Sequence, residues 1–480
     1  MVKAGFYTTD ISVPIGYNMS GFIRGLTTRA FGSLKIRAAV FSDGNIKTAL
    51  VGVDTCCLEE DIVLDALAEV KRLANLTFDA HIIAATHVHT SGHVRYGWKK
   101  QAQASKEILP PEIYALMDPE SLPVPDEAYY HFCKSQLATA IIEAYYRLED
   151  AEISYGKGFD AARVFNRRIK MKNGRTYTHP GKGNPDMVDY AGPIDPEVNV
   201  LGAWRKDGSL IGCVINFACH GTCMCGANGS HGDWYHYTDK VIKKLMGEDV
   251  NAVIFNGASG DVTQVDNFSP RPDFGERVAK ELGGRIGAEA YKVLLGAYPR
   301  SDVKMAVAHD VMDISKRRPS AAHFEEAVEK LKVSDPETDD EATFARTTVL
   351  TEVMYRLNPV SKQDITVIKI GEGVFVSNQN ELFTELGMKI KEKSAFTYTF
   401  VCCLANGVSV YVPTLAAFDM ATGGGYETRI NPGRLDIHAG DMMADRAAEL
   451  INSLTPDEPE KIDFQPRKPW SYGTNLPQID

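Results

Sequence analysis

Residues 81–93 constrain the fold of this chain more than any other stretch of its sequence. An apolar run from Ile82 to Ala85 leads to His87 and His89, which are separated by one residue. In an extended chain this spacing places both imidazoles on the same side. We therefore predict a buried strand that ends at a pair of histidines, an arrangement typical of a metal site.

The composition is that of a globular protein with an acidic surface. Apolar residues make up 44% and charged residues 24% of the 480 residues, so the chain can bury a large core. The net charge of −11 and the absence of a Lys/Arg block argue against a nucleic-acid partner. We expect a small-molecule substrate as the partner, and the sequence leaves the oligomeric state open.

Three further features bear on location. No apolar run reaches the roughly 18 residues that span a bilayer, so stable membrane insertion is not expected. Residues 1–7 lack the apolar core of a signal peptide. The nine cysteines include the adjacent pairs Cys56-Cys57 and Cys402-Cys403, a pattern that favours reduced thiols over a disulfide framework. We therefore expect a cytoplasmic protein.

Alternating β-rich and amphipathic segments predict an α/β fold, in which a mixed β-sheet core is flanked by helices. Residues 36–41 and 46–53 resemble a hairpin around an Asp-Gly turn, and three- and four-residue apolar spacing over 59–73 predicts a helix. We interpret residues 99–125 as an irregular surface insertion and 320–357 as an inserted, solvent-facing helical pair.

Four predicted strands end near residues that commonly bind metals: His87, His220, Glu381 and, after a short loop, Tyr411. Because active sites of α/β sheets gather at the carboxyl ends of strands, we expect these side chains to converge there. Two imidazoles and one carboxylate form a common ligand set for catalytic Zn²⁺. These residue types at strand ends therefore predict a metallo-hydrolase, with zinc as the expected metal.

Each of these residues also has a simpler interpretation. His220 could be a hydrogen-bonded structural histidine, Glu381 a carboxylate at a helix N-terminus, and Tyr411 an ordinary aromatic residue. Two other metal motifs fit poorly. Ser91-Gly92 stands where metallo-β-lactamases have an Asp-His pair, and Cys223-Met224-Cys225 has no second cysteine cluster nearby.

A set of short motifs, taken together, resembles the neutral (non-lysosomal) ceramidase family. The resemblance covers roughly residues 4–454 in the family's order, which makes it more specific than any single motif. The motifs are Ala4-Gly5-Phe6, Met19-Ser20-Gly21-Phe22, Thr86-His87-Val88-His89, Asn166-Arg167, Phe217-Ala218-Cys219-His220, Gly260-Asp261-Val262-Thr263, Glu381-Leu382-Phe383-Thr384, Leu404-Ala405-Asn406, Tyr411-Val412-Pro413-Thr414 and Gly425-Tyr426-Glu427.

The resemblance implies a zinc-dependent amidase with one catalytic domain over residues 1–460 and a tail over 461–480. It implies that Zn²⁺ is held by His87, His220, Glu381 and Tyr411. It also implies catalytic or transition-state-stabilising roles for His89, Arg167, Thr263 and Tyr426. Thr263 departs from the family, in which the corresponding residue is serine, so the hydroxyl is kept and a methyl group is added.

Substrate is the property that the resemblance leaves most open. The lipid-cleaving relatives are secreted or membrane-associated and carry an additional immunoglobulin-like domain, and we expect neither feature here. A substrate smaller or more polar than ceramide fits that expectation better. The alternatives are a metal-dependent esterase, a lyase or isomerase acting on a small carbohydrate, and a non-catalytic metal-binding homologue.

Overall fold

A computed structural model describes residues 1–21, 25–227, 229–407, 410–458 and 465–480. Its strands are, in chain order, β1 Lys3–Asp10, β2 Arg29–Ala30, β3 Lys35–Ser42, β4 Lys47–Val53, β5 Ala80–Ala85, β6 Glu149–Asp150, β7 Glu152–Phe159, β8 Phe165–Asn166, β9 Arg168–Met171, β10 Thr176–Thr178, β11 Met187–Tyr190, β12 Glu197–Trp204, β13 Leu210–Phe217, β14 Gly229–Ser230, β15 Asn251–Asn256, β16 Val262–Thr263, β17 Met305–Ser315, β18 Val360–Ile370, β19 Gly373–Ser377, β20 Glu381–Leu382, β21 Tyr398–Cys402 and β22 Tyr411–Val412.

The helices occupy the segments between these strands and the C-terminal part of the chain. They are α1 Glu60–Ala74, α2 Gly97–Ile108, α3 Pro111–Leu116, α4 Glu127–Tyr146, α5 Asp233–Met246, α6 Glu276–Leu295, α7 Ala321–Val333, α8 Asp340–Leu357, α9 Thr384–Lys393 and α10 Ala439–Asn452. Short 3₁₀ turns lie at Pro119–Ser121, Leu415–Phe418 and Tyr426–Thr428.

Three mixed sheets share one apolar interior. Their strand orders are β5-β4-β3-β1-β6, β15-β13-β12-β7 and β17-β18-β19-β21. The first two sheets pack face to face, and at Gly52 they approach so closely that a Cβ atom would lie 2.7 Å from the Ile254 carbonyl oxygen. Apolar side chains of all three sheets, among them Phe41, Phe255 and Phe375, form one buried cluster.

Helices cover the outer faces of these sheets. Helices α1 and α4 pack against each other, and α4 packs on the first sheet; α5 and α6 pack on the second, and α9 and α10 on the third. The predicted α/β class, with a mixed-sheet core between helices, is thus confirmed. Among the described residues, no helix is both long enough and apolar enough to cross a membrane. All nine cysteines are free thiols.

The hairpin β3–β4, helix α1 and the helical pair α7–α8 lie where the sequence predicted them, but α8 is largely buried rather than solvent-facing. The expected irregular loop at 99–125 is instead mostly helical, with α2 and α3 inside it. Its two helices pack against α7 and α8, and together the two inserted segments enclose a separate apolar cluster that includes Met117, Val349 and Val353. The division of the chain into domain and tail stays a prediction, and Phe22 lies outside the described residues.

The segment Leu404–Asn406 joins the third sheet to the edge of the first. The Ala85 amide donates to the Leu404 carbonyl over 3.0 Å, and the Asn406 amide donates to the Ile83 carbonyl over 2.9 Å. The Asn406 side chain accepts from the Ile83 amide over 2.9 Å. This pairing covers the outer edge of β5 and fixes the strand that leads to His87.

A partly buried charge cluster attaches helix α9 to the second sheet. The Lys391 ammonium lies 2.8 Å from both Asp195 and Glu197, and Lys157 also lies 2.8 Å from Glu197. Burial opposes the ionised form, but the charge of Lys391 outweighs it and lowers the pKa of Glu197 to about 2. The cluster therefore holds in place the helix that begins three residues after Glu381.

We expect Glu197→Gln to reduce the free energy of unfolding by about 1–2 kcal/mol at pH 7. A lowered carboxylate pKa stabilises the fold above the unfolded-state value of about 4.3, and this stabilisation disappears as pH falls toward 2. The difference between wild type and variant should therefore shrink from pH 5 to pH 2.5 in urea titrations. Asp445→Asn, in an exposed ion pair, is the control, and a pH-independent difference would contradict this account.

Candidate metal centre

His87 lies two residues beyond the end of β5, in a left-handed backbone conformation with φ of 66°. Such a φ is unusual for a residue with a side chain, so the surrounding structure must stabilise it. The Nδ1 atom of His87 lies 2.7 Å from the Cys56 carbonyl oxygen. Because a carbonyl only accepts hydrogen bonds, Nδ1 carries the proton, and in the neutral ring Nε2 presents its lone pair inward.

His220 lies three residues beyond the end of β13 and is fully buried. Its Nδ1 atom lies 2.7 Å from the Ser259 carbonyl and 3.1 Å from the Val262 carbonyl. The same reasoning gives an inward-facing Nε2 lone pair in the neutral ring. Next to it, a Cβ atom at Gly221 would lie 2.7 Å from the His87 carbonyl oxygen, so a glycine is needed where the two histidine loops meet.

Glu381 and Tyr411 lie opposite each other on two paired strands. They are paired across the short parallel ladder of β20 and β22, so their side chains leave it on the same side. Both residues are buried. The Glu381 Oε2 atom lies 3.1 Å from His87 Nε2 and 3.3 Å from His220 Nε2, and the Tyr411 hydroxyl oxygen lies 3.5 Å from His220 Nε2. The structure thus brings together the four predicted ligands.

These separations fit a four-coordinate zinc ion. Tetrahedral bonds of about 2.0–2.1 Å place neighbouring nitrogen and oxygen ligands about 3.3–3.4 Å apart. The three measured separations, 3.1, 3.3 and 3.5 Å, bracket that value. Two imidazole lone pairs directed at one carboxylate also repel it unless a positive charge lies between them. The donor set therefore suits Zn²⁺, although these residues could hold other divalent ions as well.

The pKa values of His87 and Glu381 also indicate that a positive charge between these side chains stabilises the cluster. Burial opposes protonation of His87, but the Glu381 carboxylate outweighs it and raises the pKa of His87 to about 10. In turn, the pKa of Glu381 falls well below its usual value despite burial, because His87 and His220 favour its ionised form. Burial and the charge of Arg167 lower the pKa of His220 to about 4. In the metal-free chain a proton on His87 therefore supplies the charge.

His89 lies in the same cluster. Its Nε2 atom is 3.1 Å from His87 Nε2, and its ring centre is 5.8 Å from that of His220, farther than the 4.5 Å from His87 to His220. Burial and the nearby charge of His87 lower the pKa of His89 well below its usual value, so the ring is neutral. Geometry alone allows His89 to be a ligand or a proton carrier, and its catalytic role stays a prediction.

Arg167 borders the cluster from the side of β8 and β9. Its Nη1 atom lies 3.3 Å from His220 Nε2, and its guanidinium lies 5.3 Å from the ring centre of Tyr411. Two contacts orient it: Nε donates to the buried Glu427 over 2.7 Å, and Nη2 donates to the Gly260 carbonyl over 2.9 Å. Arg167 is therefore a fixed positive charge beside the four predicted ligands.

Tyr426 and Thr263 differ in how they relate to the cluster. The Tyr426 ring centre lies 5.3 Å from that of Tyr411, so its phenol borders the site. Thr263 is buried in β16, where its hydroxyl accepts a hydrogen bond from the Val265 amide over 3.0 Å. That hydroxyl is used within its own turn, and the backbone of its neighbour Val262 contacts His220 instead. The role of Thr263 stays a prediction.

A cavity of about 240 Å³ lies near Tyr426. Phe344 lines it and packs against Tyr426 with ring centres 5.8 Å apart, while Arg429 lies 3.7 Å above the Phe344 ring. Pockets that bury drug-sized ligands measure about 300–1,000 Å³, so this cavity suits a small group. The other lining residues are largely polar, namely His323, Thr347, Thr348, Ile430, Asn431 and Pro432.

Sequence reasoning missed two contributions to the site. Glu427 was noted only as part of a motif, yet it is buried and orients Arg167. Cys56 and Cys57 were noted only as reduced thiols, yet both lie beside His87. The sequence signal for Glu427 was its position directly after Tyr426. The adjacent cysteines carried no signal of proximity to His87, because 31 residues separate Cys56 from that histidine.

No protein-family model and no curated protein sequence matches the chain. Solved structures do match it, two ceramidases among them. The neutral ceramidase from Pseudomonas aeruginosa has a TM-score of 0.66 and 18% identity, covering 96% of this chain and 76% of that one. A ceramidase complexed with C2 has a TM-score of 0.66 and 16% identity, covering 96% and 77%. At such identities the likeness concerns architecture: the chain has a neutral ceramidase-like fold.

Proposed function

We propose that this protein is a zinc-dependent amidase that cleaves an N-acyl bond in a substrate smaller or more polar than ceramide. The single observation that carries the proposal is the cluster of inward-facing His87 and His220 nitrogens, Glu381 and Tyr411 at tetrahedral spacing. The neutral ceramidase-like fold and the order of its motifs support the choice of an amide over other bonds.

Zn²⁺ held by His87, His220 and Glu381, with Tyr411 as a weaker ligand, would leave room for water; it would lower the pKa of that water, so supplying a nucleophile at neutral pH, and would polarise the amide carbonyl. Side chains of the protein would stabilise the oxyanion and transfer the proton. Arg167 is fixed by Glu427 and Gly260, so it can stabilise the oxyanion as negative charge develops. His89, neutral before the reaction, can take the proton from water and deliver it to the leaving amine nitrogen.

The surroundings of Tyr426 support the substrate class. Its ring packs against Tyr411 and against Phe344, which lines the 240 Å³ cavity. The small volume of that cavity and the side chains of Asn431 and Arg429 suit a small polar group. We therefore place a polar end of the substrate in this cavity, near Tyr426.

The proposed zinc ligands can be tested by metal analysis. Protein purified without added metal should contain close to one zinc per chain. In a Cys56→Ser/Cys57→Ser background, where the thiols beside His87 cannot hold zinc, His220→Ala should lower that content by at least about tenfold because a ligand is removed. The matched control is His231→Ala in the same background, a buried histidine outside the cluster, which should keep the zinc of that background. Equal zinc content with and without His220→Ala in this background would exclude His220 as a ligand.

The reaction can be tested with a panel of acyl compounds. The enzyme should release free amine from short, polar N-acyl substrates, a metal chelator should abolish the release, and ceramide should be cleaved more slowly. Chromatography of the released amine measures all three outcomes. If the enzyme cleaves no amide but converts matched esters or sugar derivatives, it is not an amidase and the proposal is wrong.

A variant of His89 distinguishes an effect on catalysis from an effect on metal binding. His89→Ala should keep the zinc of the wild type and lower kcat by about 10²–10⁴-fold, because it removes a proton carrier and leaves His87, His220, Glu381 and Tyr411 in place. The two measurements are zinc content and steady-state kinetics on the best amide of the panel. Loss of zinc in this variant would instead make His89 a ligand.

A further inference from the structure

We propose that Cys56, Cys57 and His87 form a second metal site, which binds a thiophilic cation of the zinc and cadmium class. Their donor atoms, two Sγ and one imidazole nitrogen, all lie within 4.8 Å of one another, and all three residues are buried. Thiolate sulfur and imidazole nitrogen are the ligands that such cations prefer in proteins. The site requires neither an amide substrate nor zinc at the candidate centre.

The spacing of the two sulfur atoms fits this assignment. The Sγ atoms of Cys56 and Cys57 lie 3.9 Å apart. Tetrahedral zinc with Zn–S bonds of about 2.3 Å separates two thiolates by about 3.8 Å. The slightly wider spacing also accommodates a larger cation. A single ion can therefore contact both sulfur atoms with little movement of either side chain.

Backbone contacts hold the thiols next to the histidine. The Cys56 amide donates to the Ser91 hydroxyl over 3.1 Å, and the Cys56 carbonyl accepts from His87 Nδ1 over 2.7 Å. One residue before, the Thr55 carbonyl accepts from the Val88 amide over 3.2 Å. These contacts extend the pairing of β4 and β5 beyond their ends, so both segments keep a fixed distance from each other.

His87 cannot serve both sites at once. A neutral imidazole has one lone pair, and in the candidate centre that lone pair belongs to Nε2, which faces Glu381. A cation bound to Cys56 and Cys57 that takes this lone pair removes one ligand from the set with His220. Occupancy of the thiol site should therefore weaken zinc binding at the candidate centre.

Cadmium alone is a suitable probe, because cadmium–thiolate bonds produce a charge-transfer band in the ultraviolet. Zinc-loaded protein titrated with cadmium chloride should develop this band up to one cadmium per chain, and a chelating dye should detect zinc release. Cys56→Ser/Cys57→Ser should lose the band and bind cadmium at least about tenfold more weakly. Cys225→Ser, which alters a more exposed cysteine outside the cluster, should retain the band.

Two further measurements keep the test decisive. X-ray absorption at the cadmium edge of the wild type should show two sulfur ligands, a result that does not depend on the folding of any variant. His220→Ala should still form the band, so failure of the amidase proposal would leave this site intact. A band that persists in Cys56→Ser/Cys57→Ser, or cadmium bound without sulfur, would overturn the site. If the band develops fully while all zinc stays bound, the inference that the thiol site and the candidate centre compete for His87 is wrong.

Discussion

The candidate centre depends on one repeated interaction, a hydrogen bond from a histidine Nδ1 atom to a backbone carbonyl. It occurs at His87 with Cys56 and at His220 with Ser259. In both rings it fixes the tautomer and directs Nε2 toward Glu381. Because both accepting carbonyls are backbone groups, the path of the backbone determines the orientation of the two imidazole rings. The cluster is therefore as rigid as the loops that extend β4 and β15.

Motifs that are far apart in the sequence meet around these loops for reasons of packing. Asp261 links three of them, because its carboxylate accepts from Asn166 over 2.7 Å and from the Thr384 amide over 2.8 Å. The neighbouring Gly260 donates its amide to the Leu382 carbonyl, and a Cβ there would lie 2.4 Å from the Glu381 carbonyl oxygen. Several motif residues thus position the donor residues without being donors themselves.

The sequence predicted regular elements well where one face is buried. It failed at α2 and α3, where prolines suggested a loop, because Pro111 stands at the first position of α3 and starts that helix. Two-residue strands such as β8 and β20 were not predictable either. Long-range pairing creates such short strands, and local patterns do not contain that information.

For the site, the sequence identified the residues that converge but not the contacts that orient their side chains. Predicted strand ends indicated all four residues, His87, His220, Glu381 and Tyr411, and the family motifs also contain them. The orienting contact of Glu427 with Arg167 spans 260 positions of the chain, so periodicity could not reveal it. The left-handed backbone of His87 was equally hidden, because it follows from the loops on either side rather than from the residue.

The two inserted segments have a consequence for folding and for evolution. Helices α2 and α3 are joined to α7 and α8 through an apolar cluster of their own, although about 200 positions separate them. Neither segment can bury its apolar face alone, so a deletion in one would leave the other with exposed hydrophobic surface. We expect relatives to gain or lose the segments together. We also expect the pair to open as one cooperative unit while the sheets stay folded.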